Sequence, residues 1–411
     1  MKVLVVGGGS GGHITPAIAV VREILKKNPR TRIEFWTDGK YYRNVTKIMA
    51  LGKDSGGLNV RVRRIFSGKF RRYAGWKLVD YFKNIKITVV DLILKNFLGF
   101  FGFIAGLGQS LIRLVPKKSR PDVIFLKGGF VGLPVGLAAR TLKIPYVIHE
   151  SDATPGLANR ILMKQAAKVA MGVKYAESVT EDDGTQRPIK GRENWEWVGI
   201  PIGGEFRKVP AGRAVTLKKA FGFSASKPLV VITGGSQGSE HLNMATAKIL
   251  PRLMKTASVA LIAGRKNYEK MIELKKYEVW EDAKLESNFR MWEFNSAMHE
   301  LLGAADVVVS RAGATTIAEL AALAKATILV PFEKLPGAHQ VKNAERLQKL
   351  GAAEMILDGE MEKNPAKLLG KIEGLVKNTR KREVLAENLH KEAKADAAKR
   401  LAEIILETGG R

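Results

Sequence analysis

The sequence predicts an α/β protein of two domains, each a doubly wound parallel sheet flanked by helices. Three observations predict it. At 411 residues the chain exceeds what one hydrophobic core usually supports. Short Val- and Ile-rich runs alternate with helical patterns, as in sheets whose parallel strands are joined by crossover helices. A strand–glycine turn–helix opening also occurs twice about half a chain apart, at Lys2–Val6 with Gly7–Gly12 and at Pro228–Thr233 with Gly234–Gly238.

Taken in order, KVLVVGGGSGGHITPAIAVVREIL reads as strand, turn and helix, with Ile18, Val21, Ile24 and Leu25 at helical spacing. Arg32–Thr37 is a second strand, Asp122–Lys127 a third that runs into another glycine turn, and Tyr146–His149 a fourth. After the second opening the stretch through Leu250 is a helix, and Val259–Ala263, Asp306–Ser310 and Thr327–Pro331 are strands. The polar stretch Glu181–Asn194 is expected to be a surface loop, with a hinge near Gly199–Val209. From Asn364 onward the chain reads as charged, alanine-rich helix with solvated faces. The expected boundaries are an N-terminal domain over 1–202, a C-terminal domain over 203–385 and a helix over 386–411 packing back towards the first domain.

The 68 Lys and Arg against 40 Asp and Glu give a net charge of +28, a field that favours nucleic acid, an anionic lipid surface or phosphorylated substrates. No base-reading module accompanies it, so nucleic acid is not expected as a partner. Disulfides, thiolate zinc sites and cysteine nucleophiles are excluded, since there is no cysteine. The N-terminus enters a strand at once, without a basic n-region and apolar h-region, so a cytoplasmic protein is expected.

Trp76–Val115 departs from the alternating pattern. It holds the run Phe97–Gly108 (FLGFFGFIAGLG), bordered by Lys83, Lys86, Lys95, Arg113, Lys117 and Lys118. The run is shorter than the roughly 20 apolar residues of a spanning helix and contains four glycines, so a membrane-docking segment is expected. A buried core helix and a dimer interface are the other readings.

Gly7–Gly12 matches a dinucleotide fingerprint, with Asp38 beyond the next strand as the acid that would bind ribose. His13 follows in the first helical turn, where the positive end of the helix dipole favours the neutral, proton-accepting imidazole. It is either a general base or a helix-capping residue without chemistry. Gly234-Gly235-Ser236-Gln237-Gly238 and Ser310-Arg311-Ala312-Gly313-Ala314-Thr315-Thr316 each follow a strand and open a helix, two anion-binding turns in one domain. Glu319 lies early in the second of those helices, where a carboxylate can accept from both ribose hydroxyls. A nucleoside diphosphate fits this set.

Together GGGSGGHITPA, GGFVGLP, IPYVIHESDATPGLANR, ITGGSQGS, SRAGATTIAELAA and HQVKNA, in this order, resemble the MurG family over most of the chain. The resemblance implies the GT-B fold, two Rossmann-like domains facing across a cleft. It implies transfer of N-acetylglucosamine from UDP-GlcNAc to undecaprenyl-pyrophosphoryl-muramyl-peptide, lipid I to lipid II, in peptidoglycan synthesis. It further implies peripheral work at the cytoplasmic face of the cell membrane, on an anionic inner leaflet. Carried onto matching positions, Ser236 and Ala314, Thr315 and Thr316 hold the diphosphate, Glu319 the ribose, and Arg311 supports the nucleotide site. The uracil is expected near Glu293 and Phe294, and His339 and Gln340 stand where the family has a Gln-Gln pair against the sugar. Gly9, Ser10, Gly11, Gly12 and His13 are expected to take the acceptor pyrophosphate, with Gly128, Gly129 and Phe130 beside them.

The sequence departs from the family at His339, at Asp152 in place of a frequent asparagine, and at Phe130 in place of a frequent tyrosine. Gly199–Gly203 stands where the family has GNPVR, so its arginine is missing and Arg207 is a candidate substitute. The expected mechanism is inverting displacement, with His13 or Asp152 deprotonating the muramyl 4-hydroxyl. No metal constellation accompanies the diphosphate turns, and neither a tightly bound metal nor another cofactor is implied. The alternatives are a GT-B transferase with another lipid-linked or glycolipid acceptor, and a nicotinamide oxidoreductase using Gly7–Gly12 and Asp38.

Overall fold

A computed structural model describes residues 1–51, 60–68, 85–152, 155–174, 178–180, 186–188, 192–235, 238–277, 288–334 and 338–410. The chain forms two compact units, Met1–Gly203 with Asp396–Arg411, and Gly204–Ala395.

In the first unit β1 (Lys2–Val6), α1 (Gly11–Lys27), β2 (Arg32–Thr37), α2 (Gly39–Leu51) and β3 (Val60–Arg64) lead to the long α3 (Ile85–Leu114). There follow β4 (Val123–Leu126), α4 (Gly132–Thr141), β5 (Tyr146–Glu150), α5 (Leu157–Leu162) and β6 (Lys168–Met171). β7 (Ser178–Thr180) and β8 (Gln186–Pro188) form a separate antiparallel pair, and β9 (Trp195–Trp197) returns to the main sheet. Within the stretch expected to be only loop, Gln186–Pro188 is therefore paired strand. The seven-stranded order is β3-β2-β1-β4-β5-β6-β9, so the chain reverses direction between β1 and β4. Such a reversal opens a crevice at the carboxyl ends of the two strands.

The second unit repeats the plan with α6 (Ala211–Ala220), β10 (Leu229–Thr233), α7 (Glu240–Leu253), β11 (Ser258–Ile262), α8 (Tyr268–Tyr277) and β12 (Phe289–Trp292). It continues through α9 (Met298–Ala304), β13 (Val307–Ser310), α10 (Ala314–Ala322), β14 (Ala326–Leu329), α11 (His339–Lys349) and β15 (Glu354–Met355). The order β12-β11-β10-β13-β14-β15 places its reversal between β10 and β13. Central strands such as LVVIT and VVVS are buried along their whole length, as strands covered on both faces must be. Three helices close this unit's chain: α12 (Asp358–Lys363), α13 (Pro365–Lys377) and α14 (Thr379–Lys391). α14 buries Leu385 and Leu389 in the cores of the second unit. The last helix, α15 (Ala397–Gly409), belongs to the first, where Leu401, Ile404 and Ile405 share a core with Val20, Val21 and Ile24 of α1. Arg400 fixes it there with a two-pronged contact to Glu196, at 2.6 and 3.0 Å.

The glycines of α3 have a packing role. A Cβ on Gly106 would overlap the Phe66 carbonyl, one on Gly68 would overlap the Gly99 carbonyl, and Gly102 lies 3.1 Å from the Ser67 carbonyl by the same measure. The segment after β3 thus lies directly against the helix backbone, which only glycine permits. α3 is a regular helix through the glycines that argued against a span, and Leu94–Leu114 is long and apolar enough to cross a membrane. Only 17% of its apolar window is buried, far less than a core helix would be, which removes the core-helix reading. Gly106, Ser110 and Leu114 are buried, whereas Leu94, Phe97, Leu98, Phe100, Phe101 and Ile104 are exposed.

Candidate active site

The first reversal point is built from two glycine-rich strand ends. After β1, Gly9 has φ +82°, and Gly128 and Gly129 after β4 have φ +95° and +80°, left-handed backbone that favours glycine. A Cβ on Gly9 would lie 2.6 Å from the Phe130 ring, so Phe130 packs over the loop. One on Gly129 would lie 3.2 Å from the His13 imidazole, so the second glycine turn walls the histidine. Ser10 is the N-cap of α1 and makes no side-chain cap, and the first turn closes with His13 N on the Ser10 carbonyl at 3.2 Å.

His13 is held neutral. Burial, and then the charge of Lys127, pull its pKa down to about 3, against a hydrogen bond to the Lys127 backbone; Nδ1 is buried without a partner among the described residues. Lys127 itself is 1% exposed and donates to Ser151 Oγ at 2.7 Å. Burial lowers its pKa to about 8, while Glu150 and Asp152 pull the other way.

Glu150 organises the next loop. Its carboxylate accepts from Asp152 N (2.9 Å), Gly156 N (3.0 Å) and Asn159 Nδ2 (2.8 Å), which fixes the backbone that carries Asp152. His149 Nε2 meets the Gly199 carbonyl at 2.8 Å and anchors the end of the unit. The structure thus brings Gly9–His13, Gly128–Phe130 and Asp152 to neighbouring strand ends, and adds Lys127, Glu150 and Ser151. In the sequence Lys127 carries no such signal, because a lysine ending an apolar run reads as the strand's exit to solvent.

Asp38 is not free to bind ribose. One oxygen accepts from Gly9 N at 2.5 Å and the other from Tyr41 N at 3.1 Å, so it braces the glycine loop and opens α2. That removes the acid on which the oxidoreductase reading depended.

At the second reversal point, α10 begins at Ala314 behind Gly313, again without a side-chain cap, and carries half-buried Thr315 and Thr316. Glu319 follows on the next turn. Burial, and then the charge of Glu205, raise its carboxyl to about 8, and it accepts no hydrogen bond from a described residue. A carboxyl so placed is suited to hydroxyl donors.

Arg311 is already engaged. It reaches Val330 O at 3.0 Å, Ser239 Oγ at 2.5 Å and Asp358 Oδ1 at 2.5 Å, and lies 5.5 Å from the Phe332 ring centroid. Asp358, which also binds His241 Nδ1 at 2.6 Å, and Ser239, the N-cap of α7, therefore lock the two turns together through Arg311. Neither stands out in the sequence, because their roles arise only when β10, β13 and α12 meet.

Gln340 Oε1 accepts from Phe332 N at 3.0 Å, and Ala338 (φ +49°) turns the chain into α11 just before His339. Phe294 is exposed beside Arg265, which pairs with Glu293 at 3.5 Å. Arg207 is exposed. Ser236 lies outside the described residues.

Comparison with known proteins follows the same division. Residues 3–171 match the glycosyltransferase family 28 N-terminal domain and residues 229–401 its C-terminal domain. The chain is 32% identical, over 98% of its length and 99% of the relative's, to a protein of Thermoanaerobacter sp. strain X514. That relative is named UDP-N-acetylglucosamine–N-acetylmuramyl-(pentapeptide) pyrophosphoryl-undecaprenol N-acetylglucosamine transferase. Among solved structures, Acinetobacter baumannii MurG superposes with a TM-score of 0.65 at 21% identity, covering 99% of each chain. A UDP-GlcNAc 2-epimerase from Neisseria meningitidis, bound to UDP-GlcNAc, gives 0.58 at 13% identity over 99% of this chain and 100% of that one. These two likenesses are of fold.

Proposed function

The chain belongs to the MurG family within glycosyltransferase family 28, and from that premise we propose how its residues divide the work. It is a GT-B N-acetylglucosaminyltransferase that moves N-acetylglucosamine from UDP-GlcNAc to lipid-linked muramyl-peptide, lipid I to lipid II, in peptidoglycan synthesis.

In our reading the second unit holds the donor. Glu319 accepts from the ribose hydroxyls, the Ala314–Thr316 turn and Ser236 take the diphosphate, Phe294 and the backbone beside it face the uracil, and His339 and Gln340 face the sugar. Arg311 acts as a positioning residue, since its guanidinium is spent on Asp358, Ser239 and Val330. The first unit takes the acceptor pyrophosphate on Gly9–His13 and Gly128–Phe130, with the Lys127 ammonium as its buried counter-charge.

The muramyl 4-hydroxyl gives its proton to His13 as its oxygen bonds to the anomeric carbon. The bond from that carbon to the diphosphate breaks, UDP leaves with the electron pair, and the configuration inverts. Helix starts and Thr315 and Thr316 meet the charge that develops on the leaving group. An imidazole at about 3 is a weak base in the free enzyme. An arriving pyrophosphate offsets the Lys127 charge that depresses it, so the acceptor raises the basicity of the group that deprotonates it. Asp152, on the loop held by Glu150, is the alternative base.

The observation that carries the donor assignment is Glu319, a carboxyl largely removed from water without a hydrogen-bonding partner among the described residues, one helical turn beyond a glycine turn. The deciding experiment is turnover with UDP-GlcNAc and a lipid I analogue. UDP should appear in equal amount to disaccharide product. UDP-ManNAc in place of disaccharide would mean epimerase chemistry and would overturn the reading.

We also assign the exposed face of α3 to peripheral docking on an anionic membrane surface at the cytoplasmic face. Phe97, Leu98, Phe100 and Phe101 would enter the headgroup and acyl boundary. Lys95, Arg113, Lys117 and Lys118 would add about 1 kcal/mol each near anionic lipid. Lys83 and the side chain of Lys86 lie outside the described residues. In flotation, vesicle binding should fall with salt and fall strongly when Phe97, Phe100 and Phe101 become serine. Undiminished binding by that variant would send α3 back to the dimer-interface reading.

A further inference from the structure

The other edge of the first sheet carries a feature the transferase reaction does not use. A parallel strand covered on both faces is normally apolar throughout. β3 instead reads VRVRR: Val60 and Val62 pack on the core beneath α1, while Arg61 and Arg63 alternate to the opposite face. There they lie beside Glu34 and Trp36 of β2 in register, Glu34 against Arg61 and Trp36 against Arg63. The end of α3 covers this face only in part. Between them is a cavity of about 570 Å³, within the usual range for small-ligand sites. It also reaches Lys2 and Arg32 at the beginnings of their strands, the edge opposite to the reversal-point crevice.

The cavity wall is cationic out of proportion to its acids. Lys2, Arg32, Arg61, Arg63, Arg113 and Lys118 line it, against the single carboxylate of Glu34, which Arg63 already occupies. Arg113 extends over the Trp36 ring at 5.4 Å. Burial, and then the charge of Arg63, hold its guanidinium below its usual range, with Arg61 adding to the crowding. Trp36, 2% exposed, also lines the cavity, and its buried indole N–H has no partner among the described residues. Crowded guanidiniums beside an unused N–H donor are what an anion with several acceptor oxygens would satisfy.

We propose that this cavity is a second anion site, a receptor for the phosphate of a phosphate ester, on the edge of the sheet away from the transfer chemistry. Planar guanidiniums bind phosphate in pairs, and the indole N–H supplies a further donor. The phosphate could come from an anionic phospholipid headgroup or from a free phosphorylated metabolite. Ile112, 76% exposed, lies on the rim and continues the apolar face of α3, which suits the lipid source. Only that source rests on the membrane reading above.

The test uses the full chain and the double variant R32Q/R61Q, whose arginine side chains donate no hydrogen bond to a described residue. With sn-glycerol 3-phosphate as probe at constant ionic strength, the thermal midpoint of the parent should rise. The double variant should need about tenfold or more phosphate ester for the same rise, as the loss of charged hydrogen bonds implies. Its turnover with a soluble acceptor analogue should be unchanged, which checks its fold. No rise in the parent, or an equal rise in the variant, would overturn the site. With the site present, flotation on phosphatidylglycerol vesicles against phosphatidylcholine vesicles identifies the source. Loss of the phosphatidylglycerol preference in R32Q/R61Q assigns it to lipid, and an unchanged preference assigns it to a soluble phosphate ester. If the parent binds no vesicle at all, the membrane reading fails, while the glycerol phosphate result still decides the site.

Discussion

The two reversal points are alike in backbone and opposite in buried chemistry. Each is a pair of strand ends with positive-φ glycine at one or both, followed by a helix that no side chain caps or that is capped by serine. At the first, the buried titratable groups are His13, Lys127 and His149, with both imidazoles depressed by burial and then by Lys127. The acids Asp38 and Glu150 are buried there too, spent on backbone N–H groups and Asn159. At the second, the largely buried cation Arg311 is neutralised by Asp358, and the acid Glu319 has no partner among the described residues. One scaffold therefore presents a buried ammonium beside two imidazoles held neutral in one unit and an unspent carboxyl in the other. The first environment asks for an anion such as pyrophosphate, the second for hydroxyls such as those of ribose.

The sharpest way to break that contrast is His13→Ala. Loss of a general base should lower kcat by about 10²–10⁴ and leave donor KM nearly unchanged. Activity near that of the parent, together with its abolition in Asp152→Ala, would move the base to Asp152. Glu319→Ala should do the reverse. Two hydroxyls lose the carboxyl they share, at about 1–1.5 kcal/mol per hydrogen bond, so donor KM should rise roughly ten- to hundredfold with a smaller change in acceptor KM.

Lys127→Met sharpens the comparison from the other unit. It should raise acceptor KM about tenfold by removing a charged contact. It should also raise the His13 pKa from about 3, so an acid limb absent from the parent's kcat/KM profile should enter the measurable range. A profile that does not move would separate Lys127 from His13.

The smallest effect concerns stability. Glu319 titrates near 8 in the folded chain against 4.5 unfolded, so between those values the native state holds a proton the unfolded chain has lost. Stability must then fall as pH rises through that window. Glu319→Gln has no such loss, so it should melt higher than the parent at pH 8 and show no such gain at pH 4. A gain of about 1 kcal/mol would be roughly 2–4 °C for a unit of this size.

Much of this was legible in the sequence because glycine and apolar runs are local signals. Lys2–Val6, Gly7–Gly12, the strand at Leu229–Thr233 and the turn before Ala314 all read directly, and with them the α/β class and the paired strand–glycine turn–helix openings. What escaped depends on chain segments meeting from far away. Lys127 becomes a buried ion only when β4 and β5 set it against Ser151. Asp38 looks like a ribose acid in sequence and proves to be a backbone brace once Gly9 folds onto it. The glycines of α3 look like helix breakers, yet Gly99 and Gly106 are where the backbone after β3 lies against the helix. Arg63 and Glu34 form a wall only because β2 and β3 are in register.

The division of labour is tested most directly by calorimetric titration of UDP into the parent, His13→Ala and Glu319→Ala. The account predicts that His13→Ala binds UDP within about twofold of the parent, as separate sites should, while Glu319→Ala binds it roughly tenfold or more weakly. Equal weakening in both variants, or none in Glu319→Ala, would contradict it.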